Sequence, residues 1–102
     1  MAKRDVDMKK MKENAQEVSE LLKILSHPER LMVLCQLTQG EMGAGLLQEK
    51  STLSPSAFSQ HLSVLRKHDL VVVRKEAQQV FYSLASNKAA QVISSLQGIF
   101  CK

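Results

Sequence analysis

From Met8 the apolar side chains fall at Met8, Met11, Ala15, Val18, Leu22 and Leu25, in alternating steps of three and four. That seven-residue repeat predicts a helix over 8–25 that packs lengthwise against another helix. Lys9, Lys12, Glu13, Gln16, Glu20 and Lys23 fill the opposite face. The stripe admits two partners, the chain's own domain or a second copy. The remaining chain is too small to cover so long a stripe, which favours the second copy. Residues 1–7 read as a flexible tail.

A second helix opens at "SHPER". Ser26 and Glu29 have capping-box spacing, and Pro28 suits the first turn, where no backbone donor is needed. Leu31, Val33, Leu34 and Leu37 carry the apolar pattern to about Thr38, where "QGEMGAG" breaks it. A short helix from about Ala44 to Lys50 follows, and "STLS" turns the chain into the stretch Ser54–Val71, "SPSAFSQHLSVLRKHDLV". There Ser54 is a good N-cap and Pro55 a good first helical residue. After Leu70, "VVVRKEAQQVFYSL" is β-branched and aromatic with a polar middle, which predicts a two-stranded hairpin, although no Asn-Gly or Asp-Gly marks its turn. A last helix from about Asn87 carries Ala89, Val92, Ile93, Leu96, Ile99 and Phe100 on one side. The expected fold is mainly α with a β-hairpin wing: one winged helix-turn-helix domain over 1–102. Its helix-turn-helix spans 44–68 and its wing 70–84. Helices 8–25 and 87–101 remain for homodimerisation, with Val18, Leu22, Leu25, Val92, Ile93 and Leu96 as the expected contacts.

The stretch from Ser54 carries an unusual outer face. At about 100° per residue, Phe58, Leu62 and Leu65 define a buried side. Ser56, Ser59, Gln60, Ser63, Arg66 and Lys67 gather opposite, with His61 near the boundary. An ordinary solvated face is rich in Lys and Glu from its start; here short neutral hydrogen-bonders come first and cations last. Ser and Gln near a helix start can reach base edges in a major groove, and cations in the last turn can meet phosphates and suit the helix dipole. Four neutral polar residues are weak as an isolated sign of DNA. Their place on the second helix of a helix-turn-helix, followed by Arg74 and Lys75 in the hairpin, strengthens it. The candidate DNA-binding set is Ser54, Ser56, Ser59, Gln60, His61, Ser63, Arg66, Lys67, Arg74 and Lys75, reading a pseudo-palindromic duplex operator.

Composition agrees with a small regulator. The chain has 102 residues, a formal charge of +4, three Phe, one Tyr and no Trp. One modest aliphatic core follows, of a size that often gains stability by oligomerising. The positive balance suits a polyanionic partner. No apolar run approaches a membrane span, and no apolar signal segment follows the charged N-terminus, so a cytoplasmic location without membrane association is expected. There Cys35 and Cys101 are reduced thiols. Internal repeats and low-complexity tracts are absent from the sequence.

Other classes fare worse. His27, His61 and His68 share no ligand spacing, Cys35 has no cysteine two residues away, and the final helix lacks His, Asp and Glu; no metal or other cofactor is expected. A thiol oxidoreductase would want a C-x-x-C motif or a base beside either Cys, and neither is present. An interaction protein assembling through its two apolar helices, without sequence-specific DNA binding, remains a third class. Cys35 alone reads as a small core residue, and Cys101 as an inert thiol near a helix end.

"LSHPERLMVLCQL" and "LSPSAFSQHLSVLRKHDLVVVRKEAQQVFYSL" together resemble the ArsR family of bacterial winged-helix repressors. Ser59, His61, Leu62, Leu65, Leu70 and Val71 carry the family pattern. "RKEAQQVFYSL" and the terminal Phe-Cys narrow the likeness to the HlyU, BigR and SqrR group. The resemblance implies a dimeric DNA-binding regulator that responds to persulfides or oxidants, with Cys35 and Cys101 as its redox pair. It leaves open whether the chain represses or activates by displacing another repressor. Two positions depart from the pattern: Asp69 stands where Gly is common, and Ser51 near where Leu often sits, which implies looser packing under the short third helix.

Overall fold

The computed structural model describes residues 6–85 and 87–101. Its elements are α1 (Met8–Leu25), α2 (Pro28–Leu37), β1 (Met42–Gly43), α3 (Ala44–Glu49), α4 (Pro55–Lys67), β2 (Val71–Glu76), β3 (Gln79–Leu84) and α5 (Asn87–Phe100). The strands form one antiparallel sheet in the order β1-β3-β2. The wing is therefore three-stranded, not the two-stranded hairpin the sequence pattern indicates. The added strand is a two-residue edge, Met42 and Gly43, opposite Tyr82 and Phe81.

Helix starts follow local chemistry. The Asp7 carboxylate accepts the Lys9 and Lys10 amides at 3.0 and 3.1 Å, so the end of the expected tail is a cap for α1. Residues 1–5 of that tail lie outside the described residues. The expected capping box at α2 is replaced. His27 is the N-cap, its Nδ1 accepting the Glu29 amide at 3.3 Å, while the Ser26 hydroxyl closes α1 by donating to the Lys23 carbonyl. Glu29 is thereby free to accept from the Ser51 hydroxyl at 2.7 Å, pinning α2 to the turn between α3 and α4. A small cleft of about 60 Å³ lies nearby, with Met32, Val33, Leu47 and Phe58 in its wall.

One core joins all five helices and the wing. Val33, Leu34, Leu47, Leu65 and Ile93 are the most deeply buried of its side chains. Burying each of these aliphatic groups is worth about 1.5–3 kcal/mol. Two residues expected at a dimer seam belong to this core instead: Leu25 is 7% exposed and Ile93 0%. A helix that packs inside its own chain and along a second copy shows one continuous apolar pattern for both jobs, and these two positions do the inner one. The outer stripe of α1 is open, with Met8, Met11 and Leu22 exposed and Val18 half-buried. Val92 and Leu96 of α5 are likewise half-buried.

Candidate nucleic-acid interface and thiol pair

Helix α4 is anchored by Phe58, Leu62 and Leu65, all buried. The Ser54 hydroxyl accepts the Ala57 amide at 3.3 Å and caps the helix, with Pro55 at its first position. Its opposite end closes with a turn in which Asp69 adopts φ +59°, the Asp69 amide donates to the Arg66 carbonyl at 3.0 Å and the Leu70 amide to the Leu65 carbonyl at 2.9 Å. That reciprocal pair is a Schellman closure with Asp where Gly is usual, a geometry Asp tolerates through its short polar side chain. Ser56, Ser59, Gln60, Ser63, Arg66 and Lys67 are all exposed, and Arg66 and Lys67 occupy the last turn. The stripe inferred from periodicity is thus an accessible surface, neutral at the positive helix end and cationic at the negative one.

His61 has a different place. Its ring lies 4.1 Å from that of His27, centroid to centroid, at an interplanar angle of 47°. Partial burial, followed by the charges of His27 and Arg30, holds the His61 imidazole below the ordinary histidine range, with Glu29 opposing. It ties the start of α2 to the middle of α4 and stands apart from the exposed stripe. The two rings are 61 − 27 = 34 residues apart, a proximity sequence spacing does not contain. Among the described residues no group of three or more His, Cys, Asp and Glu side chains is placed to hold a metal ion.

Arg74, expected on phosphates, is already engaged. Its Nε and Nη2 donate to the Glu41 carboxylate at 3.0 and 2.8 Å, and its Nη1 donates to Glu76 at 2.6 Å. The guanidinium also lies 4.5 Å over the Phe81 ring centroid. These hydrogen bonds raise the Arg74 pKa still further and lower that of Glu41. Lys75, next along β2, is exposed. Sequence reasoning missed the cage because Glu41 lies 33 residues from Arg74; only Glu76, two residues on along the same strand, was a local sign.

The two cysteines meet where α2 packs on α5. Cys35 is half-buried and Cys101, just past α5, is exposed. Burial pushes the Cys35 thiol above its ordinary value, the nearby Cys101 adds to the rise, and a hydrogen bond with the Gln97 side chain opposes it. The Gln97 amide also donates to Thr38 Oγ1 at 3.4 Å, and Thr38 Oγ1 donates to the Cys35 carbonyl at 2.6 Å. The Cys101 amide in turn donates to the Gln97 carbonyl at 2.8 Å. Gln97 therefore stands between the thiols and was not among the residues the sequence singled out.

Comparisons with known proteins agree with this architecture. Residues 27–73 match the family described as "Bacterial regulatory protein, arsR family". The chain is 45% identical over 97 residues to the biofilm growth-associated repressor of Agrobacterium fabrum, covering 95% of this chain and 83% of that protein. It is 39% identical over 97 residues to the transcriptional activator HlyU of Vibrio cholerae, covering 95% and 90%. The crystal structure of the transcriptional repressor BigR from Xylella fastidiosa superposes with a TM-score of 0.88 at 41% identity, covering 95% of this chain and 99% of that one. These relatives are regulators of transcription rather than enzymes. With a winged helix-turn-helix fold and this degree of likeness over nearly its whole length, the chain belongs to the ArsR family, as a DNA-binding transcriptional regulator of the HlyU and BigR type.

Proposed function

We propose that this chain is a homodimeric repressor that leaves its operator when Cys35 and Cys101 become bridged through a disulfide or polysulfide. The observation that carries the reading is the electrostatic proximity of two thiols 101 − 35 = 66 residues apart, at the junction of α2 and α5. In the reduced dimer Ser56, Ser59, Gln60 and Ser63 face base edges, and Arg66, Lys67 and Lys75 face phosphates. Val18 and Leu22 of α1, with Val92 and Leu96 of α5, form the seam. Two α4 helices related by a two-fold axis then read half-sites about one helical turn, roughly 34 Å, apart.

The chemistry balances with an organic di- or polysulfide, RS–Sx–SR, as oxidant. One cysteine thiolate displaces RS⁻ and the other displaces the second RS⁻, leaving Cys–S–Sx–S–Cys. Two thiols are oxidised by two electrons, and two RSH molecules carry those electrons away. A plain disulfide requires Cα atoms within roughly 7 Å, and each added sulfur extends the reach by up to about 2 Å. A pair set slightly too far apart admits a longer bridge and resists a plain one, which is a physical basis for answering persulfide over peroxide.

The test is DNA affinity of Cys101→Ser before and after persulfide treatment, with mass spectrometry of the wild-type bridge. Bound, unresponsive mutant protein and bridged, released wild type are expected. Full release of the single-cysteine mutant refutes the bridge. A second reading rests on the 39% identical activator HlyU: the same DNA binding and switch serving activation by displacement of another repressor. Transcription from the bound promoter with and without a competing repressor separates the two signs.

A further inference from the structure

A wing arginine in a DNA-binding protein is ordinarily read as a phosphate ligand, and Arg74 is placed against that role. Its three donor nitrogens already face two carboxylates, one of them in bidentate geometry, and its planar face covers Phe81. The local charge of Arg74, Glu41 and Glu76 taken together is +1 − 2 = −1, so the cage offers no net attraction to a polyanion. An isolated exposed ion pair contributes little, but fork geometry and a shared network are the conditions under which such contacts organise a structure. Arg74 pairs across the sheet with Phe81, and Phe81 pairs with Gly43 on the far side. A Cβ at Gly43 would stand 3.7 Å from the Phe81 ring. The ring therefore lies across three strands, with Arg74 closing over it. Glu41 precedes β1, in the segment that leaves α2. The contact consequently joins the outer strand of the wing to the connection between α2 and the sheet.

We infer that Arg74 is a positioning residue: with Glu41, Glu76 and Phe81 it clamps the wing at a fixed angle to α2, and the DNA contact of the wing is made by Lys75. This rests on the wing reaching DNA in the proposed complex. The cage belongs to the protein's own surface, and its loss releases the outer strand rather than removing a cation from phosphate. A lysine at this position keeps the charge and gives up both the fork and the stacked plane.

Operator binding by Arg74→Lys, Arg74→Gln, Glu41→Gln and Lys67→Gln, each measured over a salt series with hydrogen exchange of the free proteins, tests the clamp. Arg74→Lys and Glu41→Gln are expected each to weaken binding about three- to tenfold. Their salt slopes should stay at the wild-type value, with faster amide exchange in β2 and β3 and none in α4. Arg74→Gln should behave like Arg74→Lys. A phosphate ligand gives the reverse pattern: Lys rescues, Arg74→Gln lowers the slope by roughly 0.9 per subunit, and Glu41→Gln frees the guanidinium and tightens binding. That pattern, or unchanged exchange in the wing, overturns the inference. Lys67→Gln separates the two layers. If it leaves affinity and slope untouched, the DNA-facing assignment of α4 fails; if it flattens the slope while Arg74→Lys behaves as wild type, the clamp alone fails.

Discussion

Leu22 provides the sharpest test of assembly, because within a single chain it has little to do. It is 56% exposed in the middle of α1, on the same outer stripe as Met8 at 69% and Met11 at 44%. Complete burial of a leucine is worth about 1.5–3 kcal/mol. Covering the exposed half in a seam therefore yields about 1–1.5 kcal/mol per protomer, roughly 2–3 kcal/mol across a two-fold axis. Leu22→Glu forfeits that gain and adds two carboxylates to the same seam, at several kcal/mol each if they stay charged. A combined loss above about 5 kcal/mol raises the dimer Kd more than a thousandfold. In the isolated chain the same change sits on an exposed helix face, where substitutions usually stay within about 0.5 kcal/mol. Sedimentation velocity over a concentration series, with circular dichroism of the same samples, reads both quantities. The expected product is a helical monomer, or protein whose melting falls because the monomer depends on its partner. A soluble dimer with wild-type concentration dependence refutes the seam. Leu25→Glu would not discriminate, since Leu25 is already buried in its own chain.

Two further outcomes follow from α4 and its neighbours. Gln60→Ala should relax discrimination between operator and unrelated duplex by about 1–3 kcal/mol while keeping the salt slope; equal operator and non-specific affinities to wild type would remove α4 as the reader. His61 gives a pH signature: its folded value lies below the ordinary histidine value, so folding favours the neutral ring. The associated stability is present above about pH 6.5 and is lost as pH falls through the folded value. Urea midpoints should therefore fall from pH 7.5 to pH 5, and fall less in His61→Gln; equal losses would show that the drop originates elsewhere.

The winged helix-turn-helix was legible because its signs are local and periodic. Phe58, Leu62 and Leu65 at helical spacing, Ser54-Pro55 at the start of α4, and the β-branched run after Leu70 each act over a few residues. What escaped depends on distance or on choice between equal chemistries. β1 is two residues inside a Gly-rich connection, recruited only because Phe81 and Tyr82 offer a strand edge. Ser26 and His27 are both competent caps, and the structure gives α2 to His27 because Ser26 closes α1. Leu25 and Ile93 carry the same apolar label as Leu22 and Leu96, and periodicity cannot say which face meets the chain's own core. Arg74 looked like a cation for DNA until Glu41 and Glu76 arrived beside it. Gln97 drew no attention because a helical Gln is ordinary until a thiol and a threonine flank it.

Helix α2 is the element through which these sites address one another. Its first turn contacts the reading unit: His27 against His61, and Glu29 against the hydroxyl of Ser51 ahead of α4. The Arg30 guanidinium fastens the same turn to the Ile24 carbonyl at the end of α1, at 2.9 Å. Its last turns carry Cys35 and Thr38 against Gln97 of α5. A ten-residue helix is rigid over about 15 Å, so a change of contact at one end must be accommodated at the other. In the proposed switch, a sulfur bridge draws the Cys35 end towards Cys101 and works against the contacts that set α4. Only a small bias is required. A 10- to 100-fold loss of DNA affinity corresponds to about 1.4–2.7 kcal/mol of coupling, comparable to weakening one or two hydrogen bonds of the kind Ser51 donates to Glu29. Because the coupling is reciprocal, operator DNA must disfavour bridging by the same factor that bridging disfavours DNA.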